Sequence, residues 1–369
     1  GCTGLLRDNG VQKYTGTFNG NNCTIQLATG EAYGCTSDGT VAENTDGKSA
    51  NLGIGQIYNH STIGFLPYCN GRVQNLTLSG HIYFQNVDGG VDVQCGAVAG
   101  STDGTNMSNV TDDTNIIYSD GAGGGNLKTI YAGGFIGRTV KDGAKISFEN
   151  CVMKGIIDNT SNCHEFAMGG YLAEINTDNT NVSFQNCELN GAKIIFKRTT
   201  DGNSNDAKLG GLIGRISTNK QTHTVAIENL EITGSTVKSD ATDSCGGLFG
   251  YQWLNTNVTL KGVTVSGSEV SSSAIFGGLV YRATGYWKIG NENTSNAGII
   301  FKKTDDKANQ FTGKTKVDTP SALLIASTAS DSDSVNTRAY IEILKDGLDI
   351  QKDAVEVTLT DGDYFDDIA

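Results

Sequence analysis

Arg138, Glu174 and Arg215 each follow a copy of one short glycine-rich phrase, and together they are the equipment of proton abstraction. A carboxylate base can take a proton while flanking guanidinium groups stabilise the charge that develops, which is the chemistry of a polysaccharide lyase. Tyr251 and Arg282 hold the same place after two further copies. If the copies stack in register, Glu174 lies between two arginines that both reach it. The plainer expectation is an outward-facing ionic ladder whose surface pairs contribute at most about 1 kcal/mol. No second acid clearly joins this column.

Other sets of residues offer weaker chemistry. Glycoside hydrolysis needs two acids about 5 to 9 Å apart on a shared face. Asp112-Asp113, Asp305-Asp306 and the group Asp361, Asp363, Asp366 and Asp367 all sit in polar, loop-like sequence. Such oxygens suit calcium, but none has the spacing of an EF-hand or of a nonapeptide calcium repeat, so no cofactor is expected and calcium is left open. Tyr251, Trp253, Tyr286 and Trp287 fall close together in the later repeats and read as an exposed platform for sugar rings. The alternative is that one or more of them cover the core beneath a loop. Nine cysteines cannot all pair within the chain, and no Cys-x-x-Cys is present. Cys151 and Cys187 fall at equivalent repeat positions, as do Cys95 and Cys245. Mostly reduced, buried thiols are expected, with a Cys151–Cys187 bridge between neighbouring repeats left open.

The elements that position these residues are written in two interleaved phrases. The first is apolar, polar, Asn or Gly, apolar, polar, apolar, polar, then usually Gly. It aligns on Asn75, Asn150, Asn186, Asn229 and Gly262, with a degenerate copy at Asn109. Asn and Gly enter the left-handed region most readily, so their interchange at one column marks a tight corner between two short strands. Leu76, Cys151, Cys187, Leu230 and Val263 follow the corner and read as core. The second phrase is CGAVAG at 95, GGFIG at 133, GGYLA at 169, GGLIG at 210, GGLFG at 246 and GGLVY at 277. Repeat lengths of about 31 to 43 residues signal stacked units whose apolar faces are buried by their neighbours. Each unit supplies short strands with no sustained helical spacing. The expected fold is therefore all-β, a right-handed parallel β-helix with loop excursions, and equivalent residues forming columns.

The glycine phrases resemble the repeats of bacterial surface proteins with GLUG repeats, a signature also found in filamentous adhesins. The matching residues are Gly134-Phe135-Ile136-Gly137, Gly211-Leu212-Ile213-Gly214 and Gly247-Leu248-Phe249-Gly250. The stretch YTGTFNGNNCTI at 14 to 25 is similar to the opening of such domains, with Asn19 where Asp is usual. The resemblance covers roughly residues 11 to 290. Ala173 and Tyr281 replace its second glycine, which predicts local distortion of those coils. A metallopeptidase found beside such repeats is not implied, because His-Glu-x-x-His is absent and the four histidines are scattered.

Composition sets the remaining bounds. The 369 residues include 49 Gly and only 2 Pro, with strand segments rich in Val, Ile, Thr and Phe. A net charge of −13 without a basic run excludes a nucleic-acid backbone as partner. No stretch is apolar enough for membrane insertion by a helix. Residues 1–290 read as the repeat-bearing β-helix, opening with coils to about residue 70 and a loop excursion at 30–51, and the region 101–131 reads as loop-heavy. Residues 291–369 read as an irregular continuation or a C-terminal cap rather than an independent domain. The leading functional expectation is a non-enzymatic, extracellular or cell-surface, adhesin-like rigid rod that binds a partner or displays loops, with carbohydrate or a host or cell-surface protein as the candidate partners. The alternatives are a polysaccharide-active enzyme on the Arg138, Glu174, Arg215 face and a filament subunit that associates end to end.

Overall fold

The computed structural model describes residues 13–27, 62–86, 92–120, 129–161, 165–198, 206–217, 222–240, 244–253, 256–290, 298–314, 324–327 and 339–359. One turn of the chain shows how the repeat folds. Asn181–Asn190 bends at Asn186, and Lys193–Arg198, Asp206–Gly210 and Ile213–Ile216 follow. These give five short faces per coil, numbered here 1 (181–185), 2 (187–190), 3 (193–198), 4 (206–210) and 5 (213–216). The next coil opens with His223–Thr233 directly above, pairing in parallel with Phe184 opposite Ile227 and Leu189 opposite Ile232. Parallel pairing recurs on every face, and face 5 alone forms a seven-stranded sheet. The protein is an all-β parallel β-helix, with no helix among the described residues.

The corner between faces 1 and 2 is where the sequence phrase repeats. Asn75, Asn109, Asn150, Asn186 and Asn229 take φ of 51 to 56°, and Gly262 takes 67°. Their side chains also form a ladder, which the backbone requirement alone would not predict. Four of the five Nδ2 groups donate to the Oδ1 one coil below: Asn75 to Asn19 at 3.2 Å, Asn109 to Asn75 at 3.0 Å, Asn150 to Asn109 at 3.1 Å and Asn229 to Asn186 at 3.0 Å. Asn thus does two things at this corner, entering the left-handed region and pairing along the stack. At Gly262 an added Cβ would lie 2.8 Å from Asn229 Oδ1, so glycine closes the ladder there.

Inside the corner, Leu76, Val110, Cys151, Cys187, Leu230, Val263 and Ile299 form one buried file. Cys151 and Cys187 occupy adjacent rungs as free thiols that donate to backbone carbonyls, Cys151 to Glu149 at 3.5 Å and Cys187 to Phe148 at 3.4 Å, and burial raises the Cys151 thiol. Cys69, Cys95 and Cys245 are likewise buried and free, whereas Cys23 is exposed. Rings fill the widest part of the core. Phe148 and Phe184 stack at 5.1 Å, and Tyr171 meets both edge-on while its hydroxyl donates 2.6 Å to the Cys151 carbonyl.

Faces 4 and 5 fold sharply back on one another, which explains the glycine phrase. A Cβ at Gly214 would lie 2.6 Å from both the backbone nitrogen and the oxygen of Met168 on face 4, so the two backbones touch. The large residue inside the phrase, Phe135, Tyr171, Leu212, Leu248 or Leu279, turns into the core. Ala173 and Tyr281 do not interrupt the ladder as expected. Glu174 pairs with Arg138 and Arg215, and Tyr251 with Arg282, across those coils.

One further expectation is corrected. The region 101–131 is not loop-heavy: Ala99–Thr102, the sixteen-residue strand Thr105–Asp120 and Thr129–Gly133 run through it. Its polar residues are tolerated because Thr105–Asp120 pairs along its length with Arg72–Asn86, placing Asp112 in the core rather than in a loop. The stack also runs past residue 290, where Ile299–Lys302, Asn309–Lys314, Ala339–Ile343, Leu348–Ile350 and Val355–Leu359 pair in register with the coils below. The segment 30–51, Cys2, Cys35, Cys163 and the acids Asp361, Asp363, Asp366 and Asp367 lie outside the described residues.

Candidate functional site

Alternation on face 4 places Cys95, Ala132, Met168 and Leu209 in the main core, so Gln94, Tyr131, Ala167 and Lys208 point the other way. Face 5 folds over that second surface. Its residues Ser101, Arg138, Glu174, Arg215, Tyr251 and Arg282 therefore meet face 4 across a narrow polar seam, where Tyr131, Ala167 and Ala173 form an apolar cluster separate from the main core.

Within the seam Glu174 does lie between the two arginines. Arg138 Nε is 2.6 Å from Glu174 Oε2, and Arg215 Nε donates 2.7 Å to Oε1, which also accepts the Ser217 hydroxyl at 2.7 Å. Arg215 additionally pairs with Glu165. Both guanidinium groups lie over the Tyr131 ring, at 4.4 Å for Arg138 and 5.7 Å for Arg215. The expectation of an outward-facing ladder is wrong, because Glu174 is 0% exposed. It faces inward since the surface opposite the main core is itself covered by face 4. Burial pushes its carboxyl up to about 7 against the lowering pull of Arg138 and Ser217. Burial also lowers Arg215 and raises Tyr131.

A carboxyl near 7 between cations has the electrostatics of a base, but a base must touch the proton that it removes. Glu174 Oε1 accepts from Arg215 and Ser217, Oε2 has the Arg138 ion-pair contact without a hydrogen bond, and neither meets solvent. Sequence reasoning found this column and missed the partners Tyr131, Glu165, Lys208 and Ser217. The alternation of Tyr131 and Lys208 with the core residues of face 4 was the available signal.

The four aromatic residues do not form one platform. Tyr251 and Trp253 lie together, ring centroids 5.8 Å apart, with Trp253 47% exposed. Arg282 donates 2.7 Å to the Tyr251 hydroxyl, and Lys208 sits 4.7 Å from its ring, so this end of the seam carries cations against aromatic faces. Tyr286 is exposed on face 1, beside Tyr340 of the next coil and hydrogen-bonded to Glu342. Trp287 is a core residue, 1% exposed, with its ring edge-on to Phe249 and its Nε1 donating to the Thr284 carbonyl. Strand alternation separates these last two, since adjacent positions point to opposite sides of a sheet.

Among the described residues no group of three or more His, Cys, Asp or Glu side chains converges to hold a metal ion. Asp305 and Asp306 form a tight turn with φ of 51° and 60° between the bridged residues Thr304 and Lys307. No family model, curated protein or solved structure matches the chain.

Proposed function

We propose that the chain is a non-enzymatic, adhesin-like β-helical rod of an extracellular or cell surface, akin to surface proteins with GLUG repeats, that binds carbohydrate. The observation that carries this reading is the sealing of Glu174 by Arg138, Arg215 and Ser217, which spends the best candidate base on holding faces 4 and 5 together. What the fold leaves open to solvent is long faces of stacked polar side chains, such as Glu149, Gln185 and Glu228 on face 1. Such surfaces suit binding. The test is to pass neutral and acidic polysaccharides over the immobilised protein and to analyse both the retained material and the effluent. Retention without new reducing ends or unsaturated uronate is expected. Release of shorter fragments would replace this reading with the enzymatic one.

A second reading, end-to-end association into filaments, is favoured by the last described rung. Among the described residues, five of the eight exposed large apolar side chains lie there: Tyr340, Ile341, Ile343, Ile350 and Leu359.

A further inference from the structure

We infer that the outer surface of face 1 holds a trough for a linear, uncharged glycan, running along the stack beside the asparagine ladder. The parallel register stacks Ser147, Ser183, Ala226 and Thr259 into one outward file of small side chains. Two positions further along each strand, Glu149, Gln185, Glu228 and Lys261 stack into a second file of long polar ones. A file of short side chains beside a file of long ones leaves a depression, and a groove of about 180 Å³ lies there, lined by both files. The small file ends where the register replaces it with Asn106 below Ser147 and Lys288 above Thr259. At about 4.8 Å per rung the small residues span about 15 Å.

The lining defines the ligand. Hydroxyls of Ser147, Ser183 and Thr259, the Gln185 amide, the Lys261 ammonium and the carboxylates of Glu149 and Glu228 line the groove, so donors stand on three of its four rungs and acceptors on all four, as an extended chain of sugar hydroxyls requires. Glu149 and Glu228 are both exposed and outnumber the single cation of the lining, Lys261, so the groove keeps a negative balance that opposes a polyanion and selects an uncharged polymer over an acidic one. Phe148 and Phe184 lie beneath the floor, each 1% exposed, so no ring offers a stacking platform or an apolar pocket. Backbone groups on this face are already paired between coils, which closes it to an added peptide strand.

This assignment rests on reading the rod as a carbohydrate binder, and the experiment separates the two. Cellohexaose, maltohexaose and hexagalacturonate are titrated calorimetrically into the full chain and into Ser183→Arg, Ala226→Arg and Trp253→Ala variants, with circular dichroism confirming the fold. Positions 183 and 226 face outward, so arginine there fills the groove without entering the core. Binding of a neutral hexaose that both arginine variants weaken at least about tenfold, and Trp253→Ala leaves unchanged, is the expected result. Loss of binding in Trp253→Ala with the arginine variants unaffected overturns the trough and leaves carbohydrate binding standing. Binding of hexagalacturonate alone does the same. Cleavage of a neutral hexaose that the arginine variants abolish keeps the trough and overturns the non-enzymatic reading. No binding of any of the three overturns the trough.

Discussion

Asp112 is the single carboxyl in an inner file that otherwise reads Leu78, Met153, Leu189, Ile232 and Val265. Its Oδ1 accepts the Thr114 amide at 3.0 Å and the Thr114 hydroxyl at 2.6 Å, while Oδ2 has no hydrogen-bond partner. Burial pushes it up to about 7, against the Thr114 bonds and with Asp113 adding to the rise. Cys95 is the other titratable group that senses its charge. A carboxyl raised on folding binds more protons in the native than in the unfolded state. Its stabilisation is therefore complete below its ordinary pKa and is lost as pH climbs from about 4 through about 7. Glu174 contributes in the same direction. Urea unfolding should show the protein less stable at about pH 8 than at about pH 5, by up to a few kcal/mol, and Asp112→Asn should reduce that difference. An unchanged pH profile in Asp112→Asn would show that this carboxyl does not titrate on folding. Glu174→Ala poses a separate question, since it strands two partly buried guanidinium groups. The expected cost is about 3 to 5 kcal/mol, whereas an exposed pair would show about 1 or less.

Between residues and the whole stand the corners and faces, where the two roles of asparagine can be separated. Asn150→Gly keeps the left-handed backbone and removes the ladder bond to Asn109, while Asn150→Ala loses both. The alanine variant should lose about 2 to 3 kcal/mol and the glycine variant about 1, measured by denaturant midpoint. Equal losses would mean that the backbone conformation is not what selects Asn. This corner was legible in sequence because one column needs one unusual φ, and few residue types meet it. The stack was legible for a related reason, since a side chain that fits its file in one coil fits it in the next. The seam was not, because alternation reports two sides of a strand but not which of them another strand covers. Faces 4 and 5 have core on one side and each other on the opposite side, so an inward Glu174 and an outward one give the same pattern. Trp287 and Tyr286 show the reverse case, in which alternation alone would have placed one inside and one outside. The long strand at Thr105–Asp120 was hidden by its Asn and Asp content, which its pairing partners override.

At the scale of the molecule the question is what covers the last described rung. Ala339–Ile343, Leu348–Ile350 and Val355–Leu359 pair only with the rung beneath them among the described residues. Ile341 continues the file of Trp287, Ile343 that of Ile289 and Ile350 that of Phe301. These isoleucines are 37 to 45% exposed, whereas their file-mates below are at most 2% exposed. Among the described residues this rung presents both apolar files and strand edges that no other rung pairs, which another rung of the same geometry would cover. The net charge of −13 opposes the approach of two copies, and added salt screens that repulsion without weakening apolar burial. Association of the chain should therefore increase with protein concentration and with ionic strength. Ile343→Lys and Ile350→Lys should keep it monomeric under conditions where the unaltered chain associates, read by sedimentation velocity. Monomers at every concentration and salt, or lysine variants that associate equally well, would mean that this end is not where copies meet.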